Sequence, residues 1–139
     1  MLIFFLSLLR FHNNNRDMSE ATLQSNVVKY LKLQYPTIRY CASLGGQYQK
    51  YQSQRNRAVS TGYVKGFPDL GIYEGRGGFF GLFLEIKTKK GYPTKEQKQW
   101  LIDLNERGYL AKCIKGFDDI INEIDSYLSL EPTIQNEKN

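Results

Sequence analysis

No acidic residue occurs between Glu20 and Asp69. The same stretch carries Lys29, Lys32, Arg39, Lys50, Arg55, Arg57 and Lys65, while acids gather toward the C-terminal end at Asp118, Asp119, Glu123, Asp125 and Glu131. The net charge of +5 is therefore unevenly spread, and its cationic front half fits a polyanionic partner better than a merely solvated surface. Histidine is almost missing: His12 is the only one and lies ahead of the expected folded region. Cys41 and Cys113 lack the spacing of a zinc site. Both lie in apolar strand-like runs, so the expectation is two buried free thiols of a cytosolic protein and no disulfide. Long apolar runs are absent too. The clearest one, residues 2–9, is too short to span a bilayer. It has no basic region before it and no small-residue cleavage site after it, which makes it a poor signal peptide. No membrane partner is expected, and the chain reads as cytoplasmic. There is no internal repeat and no heptad pattern.

The 139 residues suffice for one domain with a buried core. Residues 1–17 read as an N-terminal extension, either outside the native start at Met18 or dispensable. The alternative is that residues 2–9 pack as an extra helix or a dimer contact. Residues 18–130 form the domain, and 131–139 a flexible tail. Ser19 is the expected N-cap of a helix in which Leu23, Val27, Tyr30, Leu31 and Gln34 recur at helical spacing, ending before Pro36. Residues 38–43 read as a strand, bounded by Gly45 and Gly46. Residues 47–57 hold almost no aliphatic side chain and read as a loop or extended hairpin arm. A short strand is expected at 59–64, another at 69–73, and a hairpin-like turn at 74–78. Residues 79–86, the most apolar run, read as a central strand buried on both faces. Residues 94–107 read as a helix with Trp100, Leu101 and Leu104 on one face, stopped by Gly108. A strand at 109–114 and an amphipathic helix at 118–130 complete an α/β fold, a mixed central sheet flanked by helices.

Two short strings carry the chemistry. Pro68-Asp69 and Glu85-Ile86-Lys87 lie on either side of the Gly-rich turn, in neighbouring strands. Along a strand side chains alternate faces, so Glu85 and Lys87 share a face while Leu84, Ile86 and Thr88 take the other. Pairing of the two strands brings two carboxylates and one ammonium to one spot. Carboxylates that close repel, and the natural resident between them is a hard divalent cation. Such a cation, beside a lysine, activates water for attack on a phosphodiester.

The strings Lys65-Gly66-Phe67-Pro68-Asp69-Leu70, Phe83-Leu84-Glu85-Ile86-Lys87 and Thr94-Lys95-Glu96-Gln97 resemble the virus-type replication-repair nuclease (VRR-NUC) domain of the PD-(D/E)XK superfamily. A first helix led by Glu20 and Gln24 matches as well. The resemblance spans roughly residues 18 to 116 and departs from the family in the Tyr/Gln/Arg insert and the N-terminal extension. It implies a PD-(D/E)XK (restriction-endonuclease-like) core and a Mg²⁺- or Mn²⁺-dependent endonuclease acting on DNA. Stand-alone members, often phage-encoded and so working in a bacterial host, are similar to Holliday-junction resolvases and act as homodimers. The metal ligands then are Asp69 and Glu85, with the backbone carbonyl of Ile86 as a candidate third donor and Glu20 as an outer or second-metal ligand. Lys87 positions water or stabilises phosphate charge, and Gln97 supports catalysis. Each role has a plain counterpart: Asp69 as a turn residue, Lys87 as a solvated strand-end lysine, Glu20 as an acid favoured by the helix dipole, Gln97 as half of a capping box with Thr94. Tyr48, Lys50, Tyr51, Arg55, Arg57 and Lys65 are the expected DNA contacts, basic groups for phosphates and aromatics for exposed bases. Two further readings stand beside this one: a nicking or restriction-type nuclease on ordinary duplex, and a non-catalytic DNA-binding module. Trp100 reads as core.

Overall fold

The structure, a computed structural model, describes residues 7, 18–43 and 51–133. Residues 1–6, 8–17, 44–50 and 134–139 lie outside the described residues, and with them most of the expected extension, His12, Gly45, Gly46, Tyr48, Lys50 and the end of the tail.

Helix α1 (Glu20–Gln34) starts where Ser19 Oγ accepts a hydrogen bond from Thr22 N at 3.2 Å, with Glu20 as the acid of the first turn. It ends at Tyr35, just before Pro36, and buries Leu23, Val27, Tyr30 and Leu31. Strands β1 (Tyr40–Ala42), β2 (Leu70–Ile72), β3 (Leu82–Lys87) and β4 (Leu110–Lys115) form one sheet in the order β1-β2-β3-β4. The first two pairings are antiparallel and β3/β4 is parallel. A parallel neighbour needs a crossover, supplied here by helix α3 (Lys95–Glu106). Thr94 and Gln97 start α3 reciprocally: Gln97 N donates to Thr94 Oγ1 (3.3 Å) and Thr94 N donates to Gln97 Oε1 (2.8 Å). Helix α4 (Phe117–Leu128) is the most apolar, burying Phe117, Ile120, Ile121, Ile124, Tyr127 and Leu128.

All six residues of β3 are buried, as its apolar run predicts. Leu82, Leu84 and Ile86 join Leu70 and Ile72 in the main core beneath α1 and α4. Phe83, on the opposite face, packs with Leu104, Ala111, Phe67, Trp100, Leu101 and Tyr109 in a smaller core beneath α3. The expected mixed sheet with flanking helices is what the chain forms.

Four local expectations are corrected. The polar stretch read as a loop or arm contains helix α2 (Gln52–Ser60), none of whose residues is buried. It is held by its own side chains: Gln52 Nε2 donates to Asn56 Oδ1 (2.8 Å), and Tyr51 N donates to Gln54 Oε1 (3.1 Å). The expected strand at 59–64 is instead the end of α2 followed by a turn through Gly62, whose φ is +105°. Cys41 is exposed and Cys113 only part-buried, both as free thiols. Cys41 sits on the three-residue edge strand β1, which the core covers on one side. Residues 131–133, expected in the tail, dock on the turn before β3: Gly77 N donates to Glu131 O (2.8 Å) and Thr133 N to Gly75 O (2.9 Å). Among the described residues no helix is long and apolar enough to cross a membrane.

Candidate active site

Strand register makes the centre. Leu70 lies opposite Leu84, which sets Asp69 beside Glu85 where β2 begins and β3 ends. Asp69 is held from three directions. Its Oδ2 accepts from Ile86 N (2.8 Å), and its carbonyl oxygen accepts from Ser43 N (2.9 Å) and Gln24 Nε2 (3.4 Å). The residues before it are a packing device. Gly66 adopts φ +91°, and a Cβ there would stand 2.8 Å from Glu96 of α3, so only glycine fits. Phe67 then meets Trp100 edge-to-face at 5.1 Å, while Trp100 Nε1 donates to Lys65 O at 3.2 Å. The Lys-Gly-Phe-Pro string thus anchors on α3 and delivers Asp69 to the sheet.

Glu85 and Lys87 project from one face of β3, as alternation requires. Glu85 is wholly buried and Lys87 is 7% exposed. Lys87 Nζ lies 2.9 Å from Glu85 Oε1 and 3.3 Å from Glu20 Oε2 on α1. Apart from that ion contact, neither carboxylate oxygen of Glu85 accepts a well-aligned hydrogen bond. Burial, reinforced by the charge on Asp69, pushes the Glu85 carboxyl up to about 7. Asp69 is raised as well, by burial first, against the opposing hydrogen bond from Ile86 N. Burial works to lower the Lys87 ammonium, but Glu85 and Glu20 outweigh it and the net shift is upward. Gly91 closes the centre: a Cβ there would lie 3.1 Å from Glu20 Oε1 and 3.4 Å from Lys87 Cδ.

Of the expected residues, Glu20, Asp69, Glu85 and Lys87 come together. Gln97 does not bond to any of them, because its amide oxygen serves Thr94 N. Lys65 pairs with Glu96 of α3 at 3.3 Å in solvent. Tyr51, Arg55 and Arg57 are exposed at the start of and along α2, and Trp100 belongs to the small core. Gln24, named with Glu20 as leading the first helix, steadies Asp69 through its carbonyl oxygen. Two neighbouring residues escaped sequence reasoning. Cys113 lies opposite Glu85 in the β3/β4 register, its thiol raised by burial and then by the Glu85 charge. Lys115 holds its ammonium 3.5 Å over the Tyr92 ring.

The donor set around Asp69 and Glu85 is oxygen only, the kind preferred by Mg²⁺ or Mn²⁺, which keep several waters. Among the described residues no three Asp, Glu, His or Cys side chains gather tightly enough to hold a metal by themselves. The Lys87 ammonium stands between Glu85 and Glu20. Even so, a wholly buried carboxylate crowded by a second one is what a divalent cation relieves, and the residues present fit one.

A mixed sheet with Asp69 just ahead of one strand and Glu85-x-Lys87 on the next defines a domain of the PD-(D/E)XK kind. A solved structure described as a VRR_NUC domain protein matches with a TM-score of 0.71 and 26% identity, covering 87% of this chain and 98% of that chain. The chain accordingly has the fold of a VRR-NUC nuclease domain, the family its motifs resemble. No family model matches the sequence, and neither does any curated protein.

Proposed function

We propose that this chain is a metal-dependent DNA endonuclease, selective for branched DNA such as Holliday junctions, acting as a homodimer through a domain at residues 18–130. The extension at 1–17 is dispensable in this reading. The observation that carries it is Glu85, a wholly buried carboxylate beside Asp69 with no aligned hydrogen-bond donor and a lysine ammonium at 2.9 Å. A site built for stability alone would satisfy such a group or replace it with an apolar one.

Asp69 and Glu85, with the backbone carbonyl of Ile86, would hold Mg²⁺ or Mn²⁺, and Glu20 would serve as an outer ligand. The bound ion supplies Lewis-acid polarisation of the scissile phosphate and eases loss of a proton from the attacking water. Lys87, steadied by two carboxylates, donates a hydrogen bond to a non-bridging phosphate oxygen and orients the water for in-line attack. The water oxygen bonds to phosphorus and its proton passes to bulk solvent, the bridging P–O bond breaks, and the leaving oxygen takes up a solvent proton. Gln97 contributes by fixing the start of α3, on which the Asp69 loop rests. Tyr51, Arg55 and Arg57 on α2, with Tyr48, Lys50 and Lys65, supply phosphate contacts and a stacking surface. An exposed aromatic among cations supports a preference for unstacked bases at a branch. Paired symmetric cuts across a junction call for two centres related by a twofold axis.

The test is cleavage of a labelled four-way junction beside its matched linear duplex, with Mg²⁺, Mn²⁺ or chelator, for wild type and Lys87→Ala. Metal-dependent cutting of the junction alone, lost in Lys87→Ala, is the expected result. Cutting of both substrates would leave a duplex nuclease. Binding without cutting in either metal would leave a DNA-binding module.

A further inference from the structure

Lys32 and Arg39 lie away from the centre described above. With Tyr35, Pro36, Ile38 and Tyr40 they line a cavity of about 380 Å³ between the end of α1 and the edge strand β1. No carboxylate lines it. Neither Lys32 nor Arg39 makes an ion pair or a side-chain hydrogen bond among the described residues, and the Tyr35 hydroxyl is already committed to Asp125 at 2.7 Å. The side-chain groups left to receive a ligand are an ammonium, a guanidinium and the Tyr40 hydroxyl, all hydrogen-bond donors. Two such cations side by side select an anion, and a guanidinium fork matches phosphate in particular.

Its position follows from register. Tyr40 pairs with Ile72 and Ile72 with Leu82, so the cavity lies two strands from Glu85 and three residues back along them, on the sheet face under α1 and α4 and not on the face that carries Glu85. That is roughly 10 Å along the strands and roughly 10 Å across them, about 14 Å in all. We infer that this cavity is a second phosphate-binding site, taking a backbone phosphate of the bound DNA remote from the cleaved bond. The inference rests on the nuclease reading for its ligand. The cavity shares with α2 the acid-free stretch of the chain.

The experiment measures binding without cleavage, in chelator, using a fluorescent junction over a series of salt concentrations. The slope of log affinity against log salt should shrink by about 1 in Lys32→Ala/Arg39→Ala, the value for one lost phosphate contact. Lys32→Gln/Arg39→Gln, which keeps the aliphatic stems, should behave the same. Lys98→Ala/Arg107→Ala removes equal charge from α3 and from the residue that caps it. An equal slope change there would overturn a defined site, as would an unchanged slope in the cavity variants. Inorganic phosphate, followed by its effect on melting temperature, is the second arm. A rise in wild type lost in the cavity variants, with no DNA binding, would leave a site for free phosphate and overturn the DNA assignment. Wild-type binding to DNA with no cutting in Mg²⁺ or Mn²⁺ would fail the nuclease reading while leaving the slope test of this site intact.

Discussion

Two carboxylates attached to the same framework have opposite surroundings. Asp125, on α4, accepts hydrogen bonds from the hydroxyls of Tyr30 (2.7 and 2.9 Å) and Tyr35 (2.7 Å). Glu85, on β3, is buried more deeply, yet accepts no aligned hydrogen bond and has only the Lys87 ammonium against Oε1. Helix α1 reaches both, with Glu20 near its start and Tyr30 near its end. Asp125 ties α1 to α4 and stabilises the fold. Glu85 is held by the strands around it in a state that costs stability, with the Lys87 ammonium as its charge partner.

The comparison breaks most visibly if activity and stability fail to separate. Glu85→Gln should lower the cleavage rate by about 10²–10³ or more, the usual loss when one preorganised electrostatic group is removed. Its metal-free melting temperature should stay level or rise, because a neutral amide replaces a crowded charge. A large drop in melting temperature would make Glu85 a structural group. Asp125→Ala should do the reverse. Losing a charged acceptor for two tyrosines costs about 2–4 kcal/mol in denaturant unfolding, while the rate per folded molecule stays unchanged. Third, added Mg²⁺ should raise wild-type stability, by about 2.7 kcal/mol at a hundredfold excess over its dissociation constant, and should do so equally in Asp125→Ala. Glu85→Gln should lose that increment, and calorimetry with and without Mg²⁺ checks it.

The smallest effect sharpens the Asp125 side. Burial, and then the bond to Asp125, push the Tyr35 hydroxyl up to about 12 from its ordinary 10. A raised folded-state value means the unfolded chain loses its proton first. Stability from this group is therefore complete below pH 10 and declines as pH climbs toward 12. Tyr35→Phe should be slightly less stable at neutral pH, by about 1 kcal/mol, and should flatten part of that alkaline decline.

The grouping of Asp69, Glu85 and Lys87 was legible in the sequence because it depends on rules that act locally. Strand alternation places Glu85 and Lys87 on one face, and an antiparallel turn returns Asp69 beside them. The helix led by Glu20 had a readable cap at Ser19. Asp125 was not legible as a partner of Tyr30 and Tyr35, since those contacts join residues 95 and 90 positions apart. Helix α2 was missed because hydrophobic periodicity is blind to a helix with no buried face. Its signals were subtler: Gln54 three residues after Tyr51, and no glycine or proline from 47 to 61. Cys41 was expected inside because its neighbours are apolar, yet an edge strand exposes alternate residues to water.

Helix α2 carries one more consequence. Nine residues are fewer than an isolated helix needs to persist in water, and this one gains nothing from a core. Its backbone amides should therefore exchange with solvent deuterium far faster than those of α1 or α4, on the scale of local fraying and not of global unfolding. Any partner that grips Arg55 and Arg57 would slow that exchange at little cost to the rest of the molecule. Deuterium uptake at nine positions then becomes a clock for occupancy, readable without any reaction taking place.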